Sequence, residues 1–311
     1  MTRNISKTIG RKRKKLFPIL LFSALLLITL RFSAEIREGI VYGIRFSVTT
    51  LVPSIFPFMI LADYLQSLEW KNEKRLTPRR RSVFGISPSA ISVLLTGFIC
   101  GFPLGSKSAS ELYERGEMEK SEAELLCAVS TNPSVAFTLS GVGLAMRGDI
   151  YDGIILYVSV ISSAILTAMI FKPKTQYIAK IDNITKQKFD ISISIKSAGY
   201  SSLVISSFVA FFSGVLSLAK ALIKSDSLLP IIASFLEVGS ACNLISKSSL
   251  YTENLSLIFT GYALAFSGLS VHLQSFSFMK NELSRTRYIA LKLIQGLICV
   301  SILSLLFLIK K

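Results

Sequence analysis

The chain has 311 residues, a net charge of +16, a mean hydropathy of +0.55 and 51% hydrophobic residues. Soluble domains do not carry repeated uncharged runs of about twenty residues, so the composition excludes an ordinary soluble protein. The basic residues cluster between the apolar runs, and no basic helix alternates with stacking aromatics, which argues against nucleic acid as a partner. Such clusters are typical of cytoplasmic loops that contact a lipid bilayer with anionic headgroups.

Apolar runs recur along the whole chain and predict an all-α polytopic membrane protein with about 7–8 transmembrane helices, because about 20 helical residues cross a bilayer core. The runs are 16–32, 82–106, 125–146, 153–171, 198–219, 254–279 and 288–309. The four cysteines lie singly inside apolar segments, without the spacing of a metal site or a disulfide framework. We therefore expect no metal and no cofactor.

The N-terminal region joins a basic segment to the first apolar run, as a secretory signal peptide also does. That run is long and lacks a small-residue cleavage pattern, so we expect an uncleaved first helix with a cytoplasmic N-terminus in the inner membrane. Glu35–Ser47 is amphipathic, and Pro53 and Pro57 interrupt the next apolar stretch. This pattern predicts an interfacial helix followed by a kinked span.

The positive-inside rule predicts two re-entrant hairpins. The segments 125–146 and 153–171 are joined by a short turn and precede a basic loop. If that loop is cytoplasmic, the first segment must cross the membrane outward and the second must cross back to the cytoplasmic side. The run 82–106 must then enter and leave from the cytoplasmic side. By the same count, 227–249 enters and leaves from the outside. One re-entrant hairpin per half, from opposite faces, predicts an inverted repeat.

The domain organisation follows from this count. It comprises the first helix (1–33), a first repeat (34–171), a basic loop (172–197), a second repeat (198–280) and a C-terminal helix (281–311).

Two interruptions of apolar helices are candidate substrate-binding sites. The first, in the sequence ICGFPLGSK, contains Gly101, Pro103 and Gly105. Non-helical backbone at membrane depth is tolerated only where it is buried in protein or lines a wet cavity. The second interruption is Asn132, which precedes Pro133. A helix kink is the alternative explanation at both places, and a loop at the membrane surface is a further alternative at the first.

Buried polar residues in the second half extend the candidate site. Glu237 lies in an otherwise uncharged stretch, where a carboxylate costs roughly 2.5–3.5 kcal/mol on insertion scales. Ser240 and Asn243 follow at helical spacing and predict a hydrogen-bonding cluster, unless Glu237 lies at a headgroup boundary. His272 and Gln274 interrupt the run 254–279 and would border the same path, although a lone histidine is often structural.

Other charged residues have simpler explanations. Lys107 can extend along an apolar surface to water, and Asp63 and Lys292 lie near the ends of their apolar runs. The acidic stretch 111–124 carries interspersed basic residues. We expect a solvated helix–turn–helix about Gly116 there, not a catalytic pair of carboxylates.

Five segments, in order, resemble the nucleoside-recognition (Gate) domain family over roughly residues 40–280. They are GFPLGSK, ELYERGEMEKSEAELL and TNPSVAFTLSGVG in the first half, and FLEVGSACNLI and FSGLSVHLQ in the second. Relative to the family pattern, Thr131 replaces an asparagine and Gly239 a threonine. The resemblance implies an inner-membrane protein needed for formation of the spore cortex or envelope, with a domain similar to parts of concentrative nucleoside transporters.

We therefore expect a transporter or permease-like protein and not an enzyme. Polar uncharged groups with one carboxylate suit a small neutral solute such as a nucleoside, or a coupling cation, and a homo-oligomer is a further possible partner. The alternative is a non-transporting scaffold or assembly factor of the spore envelope. An enzyme acting on a lipid-linked precursor is third, because no acid–base pair stands at membrane depth.

Overall fold

All secondary structure in the described part of the chain is helical. The computed structural model describes residues 18–67, 88–173, 189–223 and 225–309. The α-helices are α1 (Pro18–Arg31), α2 (Ser33–Phe46), α3 (Val52–Ser67), α4 (Pro88–Cys100), α5 (Leu104–Glu114), α6 (Lys120–Val129), α7 (Ile150–Ile170), α8 (Ile191–Leu222), α9 (Leu228–Leu236), α10 (Val238–Ser246), α11 (Glu253–Phe266), α12 (Gly268–Phe278) and α13 (Arg285–Ile309). Ser47–Leu51 and Phe137–Arg147 are π-helical. The predicted all-α class is confirmed.

Long apolar helices indicate a membrane protein. By length and composition, four helices of the described residues can cross a bilayer: α7, α8, α13 and the pair α11–α12 taken together. A fifth crossing results if α1 and the helix after it, bent by 79° relative to each other, form one span. Other apolar stretches form the shorter helices α4, α5, α9 and α10, of 9 to 13 residues. At 1.5 Å per residue these helices are about 14–20 Å long, too short for a core of about 30 Å.

The predicted separation of an interfacial helix from a kinked span is not observed. The helix continues from α2 through the π-helical turn Ser47–Leu51 into α3, and the sharp bend lies earlier, at Phe32. Pro53 directly follows the π-helical turn, at the second residue of α3. Pro57 lies inside α3 without ending it.

Two glycines one turn apart allow α2 to pack closely along α8. A Cβ added to Gly39 would lie 2.5 Å from the carbonyl oxygen of Ser213. A Cβ added to Gly43 would lie 2.8 Å from the Cα of Ala210. Small residues at this spacing let helix backbones approach each other, as in membrane-helix dimers.

The helices α4 and α5 form a helical hairpin, which we call hairpin 1. Gly97 of α4 and Gly105 of α5 both lie against Ser130, since a Cβ at either glycine would overlap its carbonyl oxygen. In a straight helix these two glycines would be about 12 Å apart. The chain therefore folds back at the non-helical residues 101–103, the tip of hairpin 1.

Hairpin 1 packs against a helix that is itself interrupted. The interruption, residues 130–134, separates α6 from the π-helical Phe137–Arg147, and together these segments form broken helix 1. A Cβ added to Gly101 at the tip of hairpin 1 would lie 2.5 Å from the backbone nitrogen of Ser134. The tip of the hairpin and the break in the helix are therefore in direct contact.

The second half contains the same combination. The helices α9 and α10 form the pair that we call hairpin 2, with Glu237 as its tip. The predicted single helix 254–279 is interrupted, because Ser267 and Gly268 have φ values of 78° and 72° that a right-handed helix does not accept. The resulting broken helix 2, α11–α12, contacts the tip of hairpin 2, since a Cβ at Gly268 would lie 3.3 Å from the Glu237 nitrogen.

The beginning of α13 marks one end of the bundle, which we call end 1. Lys280, just before α13, forms an ion pair with Glu114 at the end of α5. Arg287 in the first turn of α13 donates to Glu124 of α6 at 2.9 Å. Hairpin 1 therefore opens toward end 1, and broken helix 1 starts there.

The later part of α13 marks the opposite end, end 2. Leu303 of α13 lies against Gly261 of α11. Arg147 donates to Ser256 in the first turn of α11 at 2.8 Å, and Ser256 donates to the carbonyl oxygen of Ile245 in α10 at 3.4 Å. Hairpin 2 therefore opens toward end 2, so the two hairpins approach each other from opposite ends of the bundle.

The expectation of a solvated acidic helix–turn–helix is wrong in part. The turn at Gly116 is present, with a φ of 72°. However, Glu122 and Glu124 are buried, since α6 packs between α5 and α13. The periodicity of charge along the chain did not reveal that these two helices cover α6.

Replacing Gly43 by alanine is expected to lower stability by about 1–3 kcal/mol, because the added methyl group must displace the backbone of α8. The measurement is the thermal midpoint of the purified protein in detergent. Gly199 of α8 is the matched control, since a Cβ there meets nothing within 4 Å. A Gly199→Ala midpoint that falls as far as that of Gly43→Ala would contradict the close packing.

Candidate functional site

The two hairpin tips meet at one narrow cavity of about 20 Å³, which has room for about one water molecule. Gly101 and Phe102 line it from hairpin 1, and Glu237 lines it from hairpin 2. Ser134 of broken helix 1 and Gln274 of α12 line it as well. The remaining wall is mostly apolar and includes Phe46, Leu51, Ile55, Phe137, Ile205, Val209 and Val271.

Glu237 is buried, with 3% of its surface exposed, and it caps helix α10. Its two carboxylate oxygens accept hydrogen bonds from the backbone N–H groups of Gly239 at 2.8 Å and Ser240 at 2.5 Å. A carboxylate at a helix N-terminus is stabilised by these donors and by the helix dipole. Ionised, it has about four acceptor positions, so acceptor capacity remains on a residue that lines the cavity.

The other residues of the predicted Glu237 cluster lie outside the cavity. Ser240 contributes its backbone N–H to the cap. Asn243 is half-buried on α10, and its carbonyl oxygen accepts from the hydroxyl of Ser246. Neither side chain lines the cavity, so the predicted cluster reduces to the cap.

The three residues predicted in hairpin 1 have different positions. Gly101 has a φ of 87°, which favours glycine, and it lines the cavity. Pro103 immediately precedes α5, and its carbonyl oxygen accepts from the hydroxyl of Ser106. Gly105 lies in the first turn of α5 against broken helix 1. Gly101 is thus a cavity residue, and the other two shape the tip.

Asn132 faces away from the cavity and holds the break in place. Its side-chain oxygen accepts a hydrogen bond from Gln295 of α13 at 2.6 Å. Its side-chain nitrogen donates to the carbonyl oxygen of Val129 at 2.7 Å. Both groups therefore bind protein in this conformation.

Lys292 was expected near a membrane surface, and the structure corrects this expectation. It lies two turns inside α13 and is completely buried. Its Nζ donates to the carbonyl oxygen of Thr131 at 2.6 Å and to Oε1 of Gln295 at 3.0 Å. The sequence held a signal, because Tyr288, Lys292 and Gln295 share one face of an otherwise apolar helix.

His272 and Gln274 belong to different surroundings. The Nδ1 of His272 is 3.5 Å from the hydroxyl oxygen of Tyr288, and that hydroxyl donates to Ser275 at 3.2 Å. Gln274 lines the cavity, and its Nε2 donates to the hydroxyl of Ser270 at 3.1 Å. Within the described residues, Nε2 of His272 and Oε1 of Gln274 have no hydrogen-bond partner.

Lys107 does not extend freely to solvent. Its ammonium group donates to the hydroxyls of Ser197 at 2.8 Å and Ser201 at 3.4 Å, which joins hairpin 1 to the first part of α8. Glu111 lies 3.9 Å away. This contact also places the beginning of α8 on the end 1 side of the bundle.

The structure brings together only some of the predicted site residues, and Pro103, Gly105, Ser240 and Asn243 do not line the cavity. Gly101, Glu237 and Gln274 line the cavity, together with Ser134, which the sequence analysis did not single out. Asn132 and His272 belong to polar contacts with α13. No group of three or more His, Cys, Asp or Glu side chains in the described ranges could hold a metal ion.

Comparisons with known proteins do not identify the chain. No family model, no curated protein and no solved structure matches it. The resemblance to the Gate domain family therefore stays a prediction, and function has to be argued from the geometry.

Proposed function

We propose that this chain is a transporter-like integral membrane protein, built as an inverted repeat with two re-entrant hairpins. The observation that carries the proposal is the convergence of two hairpin tips and the break of broken helix 1 at one cavity, with the break of broken helix 2 against the tip of hairpin 2. Non-helical backbone at membrane depth is expected where a solute or ion passes, because elsewhere a continuous helix satisfies the backbone at lower cost.

The order of the elements supports the repeat. One half runs through a long helix (α2–α3), hairpin 1, broken helix 1 and α7, and the other runs through α8, hairpin 2, broken helix 2 and α13. The contacts between the two halves are reciprocal, so each contact has a counterpart in which the halves change roles. The second arm of each hairpin packs on the second segment of the other half's broken helix, and α13 packs on α6 as α7 packs on α11.

Charge supports an orientation with end 1 in the cytoplasm and the N-terminus on the same side. The basic segment 71–81 connects α3 to α4, and the basic segment 172–188 connects α7 to α8. The end of α3 lies beside the start of α8, where the rings of Tyr64 and Phe189 are 5.2 Å apart. The helices joined by these basic segments therefore end at end 1, as the positive-inside rule requires of a cytoplasmic face.

The substrate we propose is a small neutral solute with several hydrogen-bonding groups, such as a nucleoside. The cavity offers one carboxylate, one amide and one hydroxyl within an apolar wall. At about 20 Å³ it is closed, because pockets that hold drug-sized ligands measure about 300–1,000 Å³. Transport then requires the two hairpin tips to separate. A role in spore cortex or envelope formation follows from the family resemblance, and we propose no enzymatic activity.

A non-transporting scaffold of the spore envelope is the second candidate. Glu237 caps a helix, and both polar groups of Asn132 bind protein. These contacts are what a purely structural role of the buried polar groups requires.

The substitution Glu237→Gln is expected to reduce solute uptake by about tenfold or more, which corresponds to about 1.4 kcal/mol of binding. Glu237 carries the sole carboxyl group among the described residues lining the cavity. The measurement is uptake of radiolabelled uridine into proteoliposomes, with protein amount and melting temperature determined in parallel. Glu253→Gln, in the exposed first turn of α11, is the control. Unchanged uptake by Glu237→Gln would reject the carboxylate as a substrate ligand, and wild-type protein without uptake would favour the scaffold.

Cysteine labelling tests the inverted repeat directly. Glu119→Cys, beyond hairpin 1, and Lys247→Cys, at the end of hairpin 2, are both at exposed positions. The four native cysteines are buried and give little background. A membrane-impermeant maleimide is expected to label Lys247→Cys in intact cells and Glu119→Cys only after permeabilisation. Labelling of both from one side would contradict the proposed topology.

A further inference from the structure

The structure contains a buried lysine in an uncharged environment. No part of the surface of Lys292 is exposed. The ion pairs among the described residues join other side chains, and none of them includes Lys292. Its two acceptors, the carbonyl oxygen of Thr131 and Oε1 of Gln295, are both neutral. A permanent ammonium would be an unpaired charge in the bundle interior, which is strongly unfavourable.

The number of acceptors fits a neutral amine. An ammonium group carries three N–H donors, whereas a neutral amine carries two and a lone pair. Among the described residues, two acceptors lie within hydrogen-bond distance of Nζ, at 2.6 and 3.0 Å. They match the two donors of an amine and are one fewer than the donors of an ammonium.

The surrounding helices supply titratable groups but no carboxylate at this depth. Their titratable groups of high or intermediate ordinary pKa away from the helix ends are Tyr288 and Cys299 of α13 itself, Cys127 of α6, Tyr157 of α7, Tyr262 of α11 and His272 of α12. The remaining ones, Lys120, Tyr151, Arg285 and Arg287, lie in the first turns of their helices. The carboxylates on these helices lie in the first two turns, at the bundle ends: Glu122, Glu124, Asp152 and Glu253. No carboxylate therefore lies beside Lys292 on these helices. Its surroundings are neutral as long as His272 and the neighbouring tyrosine and cysteine side chains are uncharged.

One acceptor of Lys292 belongs to the break in broken helix 1, and the other, on α13, binds a residue of that break. Thr131 lies within the non-helical residues 130–134, and Gln295 also binds the neighbouring Asn132. When the amine lone pair takes up a proton, the new N–H requires an acceptor. That acceptor becomes available if the break shifts and frees a further carbonyl oxygen, or admits water. Protonation and the conformation of the break are therefore linked.

We infer that Lys292 is a proton-binding site whose loading rearranges the break between α6 and the helix after it. The inference rests on the proposed transport function and names the proton as its coupling ion. Lys292 is neutral in the conformation described, with the cavity closed. In the protonated form the break is displaced, and Ser134, which lines the cavity, is displaced with it.

Hydrogen–deuterium exchange of the full-length protein in lipid nanodiscs tests this inference. Exchange rates of a peptide that covers residues 127–138 are compared from alkaline to acidic pH, after correction for the intrinsic pH dependence of exchange. In the wild type, acidification is expected to accelerate exchange of this peptide by about tenfold, as in local opening of a stable segment. Peptides of α7 away from the break are expected to show no such change.

Substitutions assign the effect to Lys292. Lys292→Gln retains hydrogen bonding but cannot take up a proton, so its exchange is expected to stay slow at every pH. Lys107→Gln is the matched control, since Lys107 also donates to neutral oxygens but lies at the partly exposed edge of hairpin 1. It should retain the response of the wild type. If Lys292→Gln does not accumulate, Gln295→Leu replaces it. This variant also releases Asn132 and raises exchange at every pH, so only its pH midpoint is read, which should shift downward because the cation loses an acceptor.

Three results would contradict the proton-binding role of Lys292. A pH-independent wild type, a Lys292→Gln variant that keeps the response, or a Gln295→Leu variant with an unchanged midpoint would overturn the inference. The readout needs no transported solute, so it separates the two proposals. If the break responds to pH but the protein takes up no uridine, only the transport proposal is contradicted. If the protein takes up uridine but the break does not respond to pH, only the role of Lys292 as a proton-binding site is contradicted.

Discussion

The structure depends on one constraint, which is that backbone polar groups exposed by a helix break inside a bundle must find partners without bulk water. Each half of this chain has a hairpin tip and an interrupted helix in its interior. The Glu237 carboxylate binds the free N–H groups of α10, and the hydroxyl of Ser134 accepts from Phe137 N–H at 3.1 Å. The Lys292 nitrogen binds the carbonyl oxygen of Thr131. The side chains at the breaks thus match the helix ends, with acceptors at N-termini and a donor after a C-terminus.

The same constraint accounts for the glycines of hairpin 1. Gly97, Gly101 and Gly105 lie four residues apart, and each lies against residues 130–134 of broken helix 1. A side chain at any of them would separate the hairpin from the break and leave polar groups of the break without protein contacts. Hairpin 1 and broken helix 1 therefore behave as one packed unit. The opening proposed for transport would move this unit relative to hairpin 2, because separating the hairpin from the break would expose the backbone of both.

The sequence predicted where the backbone breaks more reliably than where the side chains point. Glycine, proline and a charged residue in apolar runs indicated the interruptions near Gly101, Asn132 and Glu237, and all three are present. The interruption at Ser267 was not predicted, since serine seldom adopts a positive φ and Gly268 alone is a weak signal. A break has a local chemical cause, which one-dimensional pattern analysis can find.

What a side chain contacts in the folded protein depends on which helices surround it. Asn132 and Glu237 looked equivalent in sequence, yet Glu237 lines the cavity and Asn132 binds α13. Lys292 lies four residues from the start of an apolar run, a position typical of an interfacial lysine. It is buried because α6, α7 and α11 all pack on α13. That arrangement is set by contacts between residues tens to more than a hundred positions apart, which no local pattern encodes.

The choice between a transporter and a scaffold depends on why the hairpin tips and the broken helices meet at one place in the bundle. A structural role explains each buried polar contact separately, because every interrupted helix needs its own partners. It gives no reason for the breaks to exist, since continuous helices would pack the same bundle without exposing backbone groups. It also gives no reason for tips from opposite ends and elements from both halves to surround one small cavity. A solute path between two units accounts for both features, which is why we propose transport and not a scaffold that would retain costly interruptions without using them.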